Sequence, residues 1–111
     1  MTTWIALLRK AARERRAGNK ERGYIISQHA FRRMGERGVA EEDITRCGLE
    51  GEVLENQDHG RDLKVLVQGV DAEGLDFYMV VALSFPRPVI VTVCRFQEEA
   101  WEDLGTFKKR R

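Results

Sequence analysis

The sequence has few of the residues from which disulfide frameworks and metal sites are built. Only two cysteines and two histidines occur in 111 residues. Cys47 and Cys94 have no partner at the spacing typical of zinc ligands, so the pattern indicates neither a disulfide framework nor a metal site. Buried free thiols are the favoured interpretation. We therefore expect no metal and no cofactor.

Long apolar runs are also missing. The longest near the N-terminus is WIALL, at residues 4–8, which is far shorter than a signal-peptide core or a membrane span. We therefore expect a cytoplasmic protein with no membrane partner. Residues 1–18 are Arg-rich, amphipathic and almost free of acids, which is also typical of a mitochondrial presequence. The usual serines are absent, and this favours a plain helix.

Net charge is nearly absent as well, at +1. The total hides an asymmetry, because residues 1–38 carry ten Lys and Arg against three Asp and Glu, while residues 39–107 carry five against fifteen. Residues 108–111 are KKRR. Clustered cations suit a phosphate-bearing partner, and they also suit an acidic surface of the same domain or of a protein partner. The sequence leaves these alternatives open.

The length suits one domain, residues 1–111, because a chain of this size buries roughly 65% of its unfolded surface. Within it we expect an N-terminal helix over residues 1–18, a core over residues 24–104 and a basic tail over residues 105–111.

The stretch YIISQHAFRRMGERG, residues 24–38, joins a short strand to a cationic helix. Ser27 suits the N-cap of that helix and Gly38 its end. At about 100° per residue, the helix has a polar and an apolar side. The polar side holds His29, Arg32, Arg33 and Glu36, and the apolar side holds Ala30, Phe31, Met34 and Gly38. We expect the apolar side to face the sheet, which leaves His29 at a rim.

A short helix is predicted over residues 41–49, and from residue 52 onward the hydrophobic period changes to two, which predicts strands. The predicted strands cover residues 53–56, 63–70, 75–84 and 89–96, followed by a short helix or turn over residues 97–104. These elements predict an α+β fold in which helices pack on an antiparallel meander of about four strands.

The turn at residues 71–74 sets the register of the first main hairpin. Gly74 suits the left-handed position of a three-residue loop closed by Asp71 and Leu75. This register puts Gln68 opposite Tyr78 and makes one face of the hairpin wholly apolar. The other face carries Lys64, Gln68 and Tyr78.

The next strand can add only one of Thr92 and Arg95 to the face that carries Lys64 and Tyr78, because side chains alternate along a strand. We choose Arg95. A four-residue loop that closes Ser84 on Val89 would set Arg95 opposite Tyr78.

Seven short motifs follow one another in residues 20–104. They are ISQHA at 26–30, RM at 33–34, ERGV at 36–39, DI at 43–44, GEV at 51–53, VIVTV at 89–93 and WED at 101–103. In this order they resemble the bacterial domain of unknown function family four-two-five-eight. Members look like small RelE-like toxins, and many are encoded beside a YgiT-type zinc-finger protein, the kind of antitoxin that partners MqsR-like messenger-RNA interferases. The chain differs in having NQDHGRD at 56–62 instead of a proline-rich segment, and Ala40 instead of a capping Ser or Thr.

The resemblance implies the toxin of a type II toxin–antitoxin system, a metal-independent endoribonuclease whose partners are RNA and a zinc-finger antitoxin. Such an enzyme needs a base for the 2′-OH, cations for the phosphorane and an acid for the 5′-oxygen. We expect Lys64, Tyr78 and Arg95 to line the working face, with His29 as a rim acid or base. The residues expected to bind RNA are Arg32, Arg33, Arg37 and Arg61.

The alternative is a non-catalytic module that binds a partner. Its basic helices would meet an acidic protein, or two copies would dimerise through a second apolar face. That face would be formed by Tyr78, Val80 and Ala82 on one strand and by Ile90, Thr92 and Cys94 on the next. The outward histidine, the acidic middle of the chain and the lack of a recognisable catalytic pair favour it. It predicts a stoichiometric complex and no RNA turnover.

Overall fold

The computed structural model describes residues 3–19, 21–58, 63–83, 87–96, 101–103 and 108–110. The helices in these residues are α1 (Thr3–Arg16), α2 (Gln28–Arg37) and α3 (Glu41–Glu50). The strands are β1 (Ile25–Ile26), β2 (Glu52–Asp58), β3 (Leu63–Val70), β4 (Asp76–Ala82), β5 (Val89–Cys94), β6 (Trp101–Asp103) and β7 (Lys108–Arg110). The helices precede the main sheet, so the predicted α+β fold is confirmed. In the described parts of the chain, no helix is long and apolar enough to cross a membrane.

The main sheet has five strands in the order β1-β5-β4-β3-β2. Strands β2 to β5 form the antiparallel meander that the sequence predicts. The short strand β1 pairs parallel with β5, so the sheet is mixed and has one strand more than expected. Strands β6 and β7 form a separate antiparallel pair, and the helix or turn predicted for residues 97–104 is therefore wrong at residues 101–103. The rest of that segment lies outside the described residues.

The β3–β4 hairpin follows the predicted register throughout. Gln68 pairs with Tyr78 and Lys64 with Ala82. Gly74 has φ 81°, and the Asp71 N–H donates to the Leu75 carbonyl over 2.9 Å. The left-handed glycine that closes the loop therefore fixes which side chains share each face.

The β4–β5 register differs from the prediction. Tyr78 lies opposite Cys94, and Val80 lies opposite Thr92, with a register shift between Val80 and Val81. The expectation that Arg95 would face Tyr78 is wrong. The shift inserts one extra residue into β5, which regular alternation along a strand cannot anticipate.

The core lies between the helices and one face of the sheet, which we call the core face. Leu8 of α1, Ile44 of α3 and Phe77 of β4 are fully buried there. Close packing is visible at Gly69, where an added Cβ would come within 2.8 Å of the Cys47 Sγ atom. Cys47 is buried and free, as predicted, and burial raises the pKa of its thiol. Cys94 is free but only half-buried.

Several cations of α1 bind to α3 and are thus used inside the fold. Arg15 and Arg16 pair with Glu41 and Glu42 in the first turn of α3. The Arg9 guanidinium donates to the carbonyls of Gly48 and Gly51, over 3.0 Å in each case. Because a helix C-terminus attracts cations, Arg9 caps the end of α3. Part of the positive charge of the N-terminal helix is therefore neutralised by acidic residues of the same chain.

Candidate functional site

The junction of β1 and α2 is fixed by Ser27. Its Oγ atom accepts a hydrogen bond from the Ala30 N–H and donates one to the Val91 carbonyl, each over 3.0 Å. Its backbone N–H donates to the Ile90 carbonyl. The predicted N-cap is confirmed, and so is the helix end at Gly38, which has φ 67°. The same residue that starts the helix also attaches it to β5.

In the first turn of α2, the exposed His29 reaches the sheet. Its Nε2 atom lies 3.1 Å from the Thr92 Oγ1 atom on β5. The hydrogen bond can form with either tautomer of the imidazole, because a hydroxyl can both donate and accept. The imidazole forms no other hydrogen bond to the described residues. Its Nδ1 atom is therefore available to a ligand at the edge of the sheet, and the predicted rim position of His29 is confirmed.

The face of the sheet opposite the core face, here called the second face, carries Lys64, Tyr78 and Thr92. Thr92 and Tyr78 are diagonal neighbours, about 7–8 Å apart at their Cα atoms. The Tyr78 ring packs against Phe96 with 5.0 Å between ring centroids. Lys64 lies four positions along the hairpin from Tyr78, or about 13 Å away. Thr92 and Tyr78 on the second face therefore lie close to His29 of α2, while Lys64 lies further away.

Burial also restricts where the second face is open. Leu66 and Gln68 lie on it, yet they are only 1% and 8% exposed. Ile25, which lies on the same face at the β1 edge, is 40% exposed. A ligand can therefore reach the second face near β5 and β1 rather than at Leu66 and Gln68 on β3.

The Arg95 side chain is bound by other residues of the fold. Its guanidinium donates to the carbonyls of Arg37 and Asp76 and forms an ion pair with Asp71 over 2.7 Å. Arg95 thus ties the end of β5 to the last turn of α2 and to the β3–β4 loop. By strand parity it points away from Tyr78, so the expected grouping of Arg95 with Lys64 and Tyr78 is wrong.

The Asp71 carboxylate accepts hydrogen bonds from its own loop as well as from Arg95. It accepts hydrogen bonds from the Leu75 and Glu73 N–H groups, over 2.9 Å in each case. These bonds, with the one from Arg95, hold the pKa of the Asp71 carboxyl below its ordinary value. Asp71 is therefore a buried carboxylate whose negative charge stabilises the hairpin loop.

The arginines predicted to bind RNA differ in how they are paired. Arg33 and Arg37 share the carboxylate of Glu36, and the hydrogen bond from Arg33 lowers the pKa of that carboxyl. Arg32 is exposed and makes no ion pair with the described part of the chain. Arg61 lies outside the described residues. On α2, Arg32 is thus the arginine whose charge is left for a ligand.

The positions of Thr92 and Phe31 differ from those that the sequence predicts. Strand alternation allows either Thr92 or Arg95 on the second face, and the structure places Thr92 there through a bulge that no glycine or proline marks. Phe31 was expected to face the sheet but is 68% exposed, because α2 docks through Ala30 and Met34. A helical wheel shows which residues share the apolar side of a helix, but it does not show which part of that side packs on the sheet.

Two cavities elsewhere in the described part of the chain are not lined by the predicted residues. A cavity of about 250 Å³ between α3 and the hairpin is lined by Arg46, Glu50 and Asp76, among others. A second of about 320 Å³ lies beside α1 and includes Lys10, Arg22 and Arg87. Within the residues that the structure describes, no group of His, Cys, Asp or Glu is arranged to hold a metal ion.

Comparison with known proteins identifies one family. The model of a family described as domain of unknown function (DUF4258) matches residues 26–95. The match begins in β1, where the Ser27 junction starts, and ends at Arg95, so it spans both partners of the His29–Thr92 contact. No curated protein and no solved structure gives a significant match.

Proposed function

Because the chain belongs to the DUF4258 family, we propose from the resemblance of that family to RelE-like toxins, and from the His29 edge, that it is a metal-independent endoribonuclease. It would be the toxin of a type II toxin–antitoxin pair, acting on messenger RNA in the cytoplasm with a zinc-finger antitoxin as partner. The observation that carries the proposal is the 3.1 Å contact between His29 and Thr92. It holds an exposed imidazole in one orientation with one nitrogen available to substrate.

In the proposed reaction, His29 Nδ1 takes the proton from a ribose 2′-OH while the 2′-oxygen attacks the adjacent phosphorus. The bond from phosphorus to the 5′-oxygen breaks, and the Tyr78 hydroxyl donates its proton to the departing oxygen. Tyr78 then takes a proton from water, and His29 releases to water the proton that it took from the 2′-OH. The products are a 2′,3′-cyclic phosphate and a 5′-hydroxyl. The roughly 7–8 Å between the Thr92 and Tyr78 Cα atoms leaves room for a phosphodiester.

Two cations have different roles in this proposal. Arg32 is exposed and without an ion pair in the described residues, so it can neutralise a phosphate close to His29. Lys64 lies about 13 Å along the hairpin from Tyr78 and would hold a phosphate further along the strand. Arg95 has no part in the reaction, because Arg37, Asp76 and Asp71 already engage its guanidinium.

A growth assay tests the proposal. Induced expression in a bacterial host should arrest growth, and His29→Gln should relieve the arrest at an equal level of folded protein. Glu50→Gln, an exposed change on α3, is the matched control and should leave the arrest intact. Arrest that persists undiminished in the His29 variant would overturn the assignment.

A second candidate function, a non-catalytic binding module, is favoured by the apolar part of the second face. Val80, Ala82 and Val89 are half-buried there, and Ile25 is 40% exposed. Two copies could cover this surface by dimerising, or an acidic protein could bind beside it. This function predicts no RNA turnover by the pure protein, together with a stoichiometric complex detectable by light scattering.

A further inference from the structure

Phe31 and Gly35 on α2 have features that packing inside the chain does not explain. Phe31 leaves most of its ring in water, at 68% exposure. One turn later, Gly35 is exposed, and a Cβ added there would meet no atom within 4 Å. Its φ is not positive, so neither backbone conformation nor close packing requires a glycine. Glycine destabilises a helix interior relative to alanine.

These residues lie on one surface with the exposed arginine. At about 100° per residue, Phe31, Gly35 and Arg32 fall within an arc of about 100°, and His29 follows about 60° beyond Arg32. The order around the helix is an aromatic ring, a gap without a side chain, the Gln28 amide, a cation, the Glu36 carboxylate and then the imidazole. The buried residues Ala30 and Met34 occupy the opposite side. The surface of Phe31, Gly35 and Arg32 is here called the α2 crossing.

The chemistry of the α2 crossing matches single-stranded RNA. An unpaired base stacks on an aromatic ring, and a guanidinium binds phosphate. Arg32 supplies an exposed positive charge, because the nearby Glu36 carboxylate forms its ion pairs with Arg33 and Arg37 instead. A protein partner would need roughly 800 Å² of surface, whereas the exposed apolar part of α2 is a single ring. Charge and shape together therefore favour a nucleotide strand over a protein.

The span across α2 also fits such a strand. A helix with its side chains is about 10–12 Å wide, so the Phe31 ring and the His29 imidazole, which lie on opposite flanks, are separated by about that distance. Stacked nucleotides advance by about 3.4 Å each, so about three of them cover it. The missing side chain at Gly35 lets the strand lie close to the helix.

We propose that single-stranded RNA crosses α2, with one base stacked on Phe31, a phosphate on Arg32, and the reacting phosphodiester about three nucleotides away at His29. This inference rests on the proposed function and names its substrate as unpaired RNA. Stacking accepts any base, so the α2 crossing selects single strands over duplexes rather than one sequence over another.

The test measures binding of a short single-stranded RNA oligonucleotide of mixed sequence by fluorescence anisotropy, in a His29→Gln background that prevents turnover. Phe31→Leu should weaken binding about 5- to 100-fold, since it removes the stacking surface and keeps the side chain apolar. Phe31→Trp should bind at least as tightly as the parent. The same oligonucleotide annealed to its complement should bind more weakly.

Gly35→Leu and Leu75→Ala provide the matched comparison. Leucine at position 35 should raise the melting temperature, because it favours the helix, and should weaken RNA binding, because it fills the gap. Leu75 is also exposed, at 56%, and lies in the hairpin loop away from α2. Leu75→Ala should leave the affinity unchanged.

The outcomes separate this inference from the proposed function. Cleavage by the wild-type protein, together with binding unchanged by Phe31→Leu and Gly35→Leu, would overturn the α2 crossing and leave the function standing. Binding that needs Phe31, with no cleavage by wild-type protein, would support the crossing and overturn the function. Loss of a protein partner in Phe31→Leu, with RNA affinity intact, would overturn the crossing in favour of a protein interface.

Discussion

At the residue scale, Arg95 shows how a plausible catalytic residue can be structural. Its cation lies among the Asp71 carboxylate and three carbonyls, and these partners stand 19 to 58 positions away in the chain. Strand alternation shows only that Arg95 and Thr92 lie on opposite faces. It contains no information on which of them a bulge turns towards Tyr78, so the sequence could narrow the choice to two residues and no further.

The Asp71–Arg95 contact makes stability depend on acid. Because the folded protein holds the Asp71 pKa below its ordinary value, the carboxylate stabilises the fold above that value and loses its contribution as the pH falls through the folded pKa. Asp71→Asn should therefore lower the urea midpoint at neutral pH, and its difference from wild type should shrink below about pH 4. Glu73→Gln, an exposed change in the same loop, should show no such convergence. A constant difference down to low pH would contradict this assignment.

At the scale of elements, local signals were reliable and non-local pairings were not. Gly74 fixed the β3–β4 register, and Ser27 and Gly38 marked the ends of α2, because each acts through its own backbone. The parallel pairing of β1 with β5 joins segments more than 60 residues apart, and two-residue strands have no period to detect. The same limit hid the flank of α2 that leaves Phe31 in solvent.

Ser27→Ala tests how much the Ser27 hydroxyl stabilises the β1–α2 junction that carries the candidate site. The change removes the cap on Ala30 and the bond to the Val91 carbonyl, so unfolding free energy should fall by about 1–2 kcal/mol in urea titrations. Ser27→Thr keeps the hydroxyl and should retain most of the stability. A change of less than about 0.5 kcal/mol for the alanine variant would show that the junction is held by other contacts.

At the scale of the whole molecule, the charge asymmetry has two components. The α1 cations Arg9, Arg15 and Arg16 are bound to α3, while Arg32 on α2 faces solvent. Composition reveals both basic segments, yet it cannot show which of them the acidic middle of the chain neutralises. The structure therefore neutralises part of the α1 charge within the chain. It leaves Arg32 on α2, like Lys10 and Arg13 on α1, exposed and without an ion pair to the described residues.

RNA affinity should follow this division. Arg32→Gln should weaken binding of single-stranded RNA and reduce the slope of log affinity against log salt by about 0.7. Arg16→Gln should change both quantities little, since Glu42 already pairs with that arginine. Equal effects of the two substitutions, measured between low and moderate salt, would show that RNA does not distinguish α2 from α1.

RNA cleavage by His29 at the sheet edge, without a metal, is the proposal to test first. The assay incubates the purified protein with end-labelled single-stranded RNA in excess chelator and identifies the new termini. We expect fragments that end in a 2′,3′-cyclic phosphate, no cleavage where the attacking ribose is 2′-deoxy, and loss of turnover in His29→Gln. The absence of any cleavage, or cleavage that proceeds equally well in the His29→Gln protein, would contradict it.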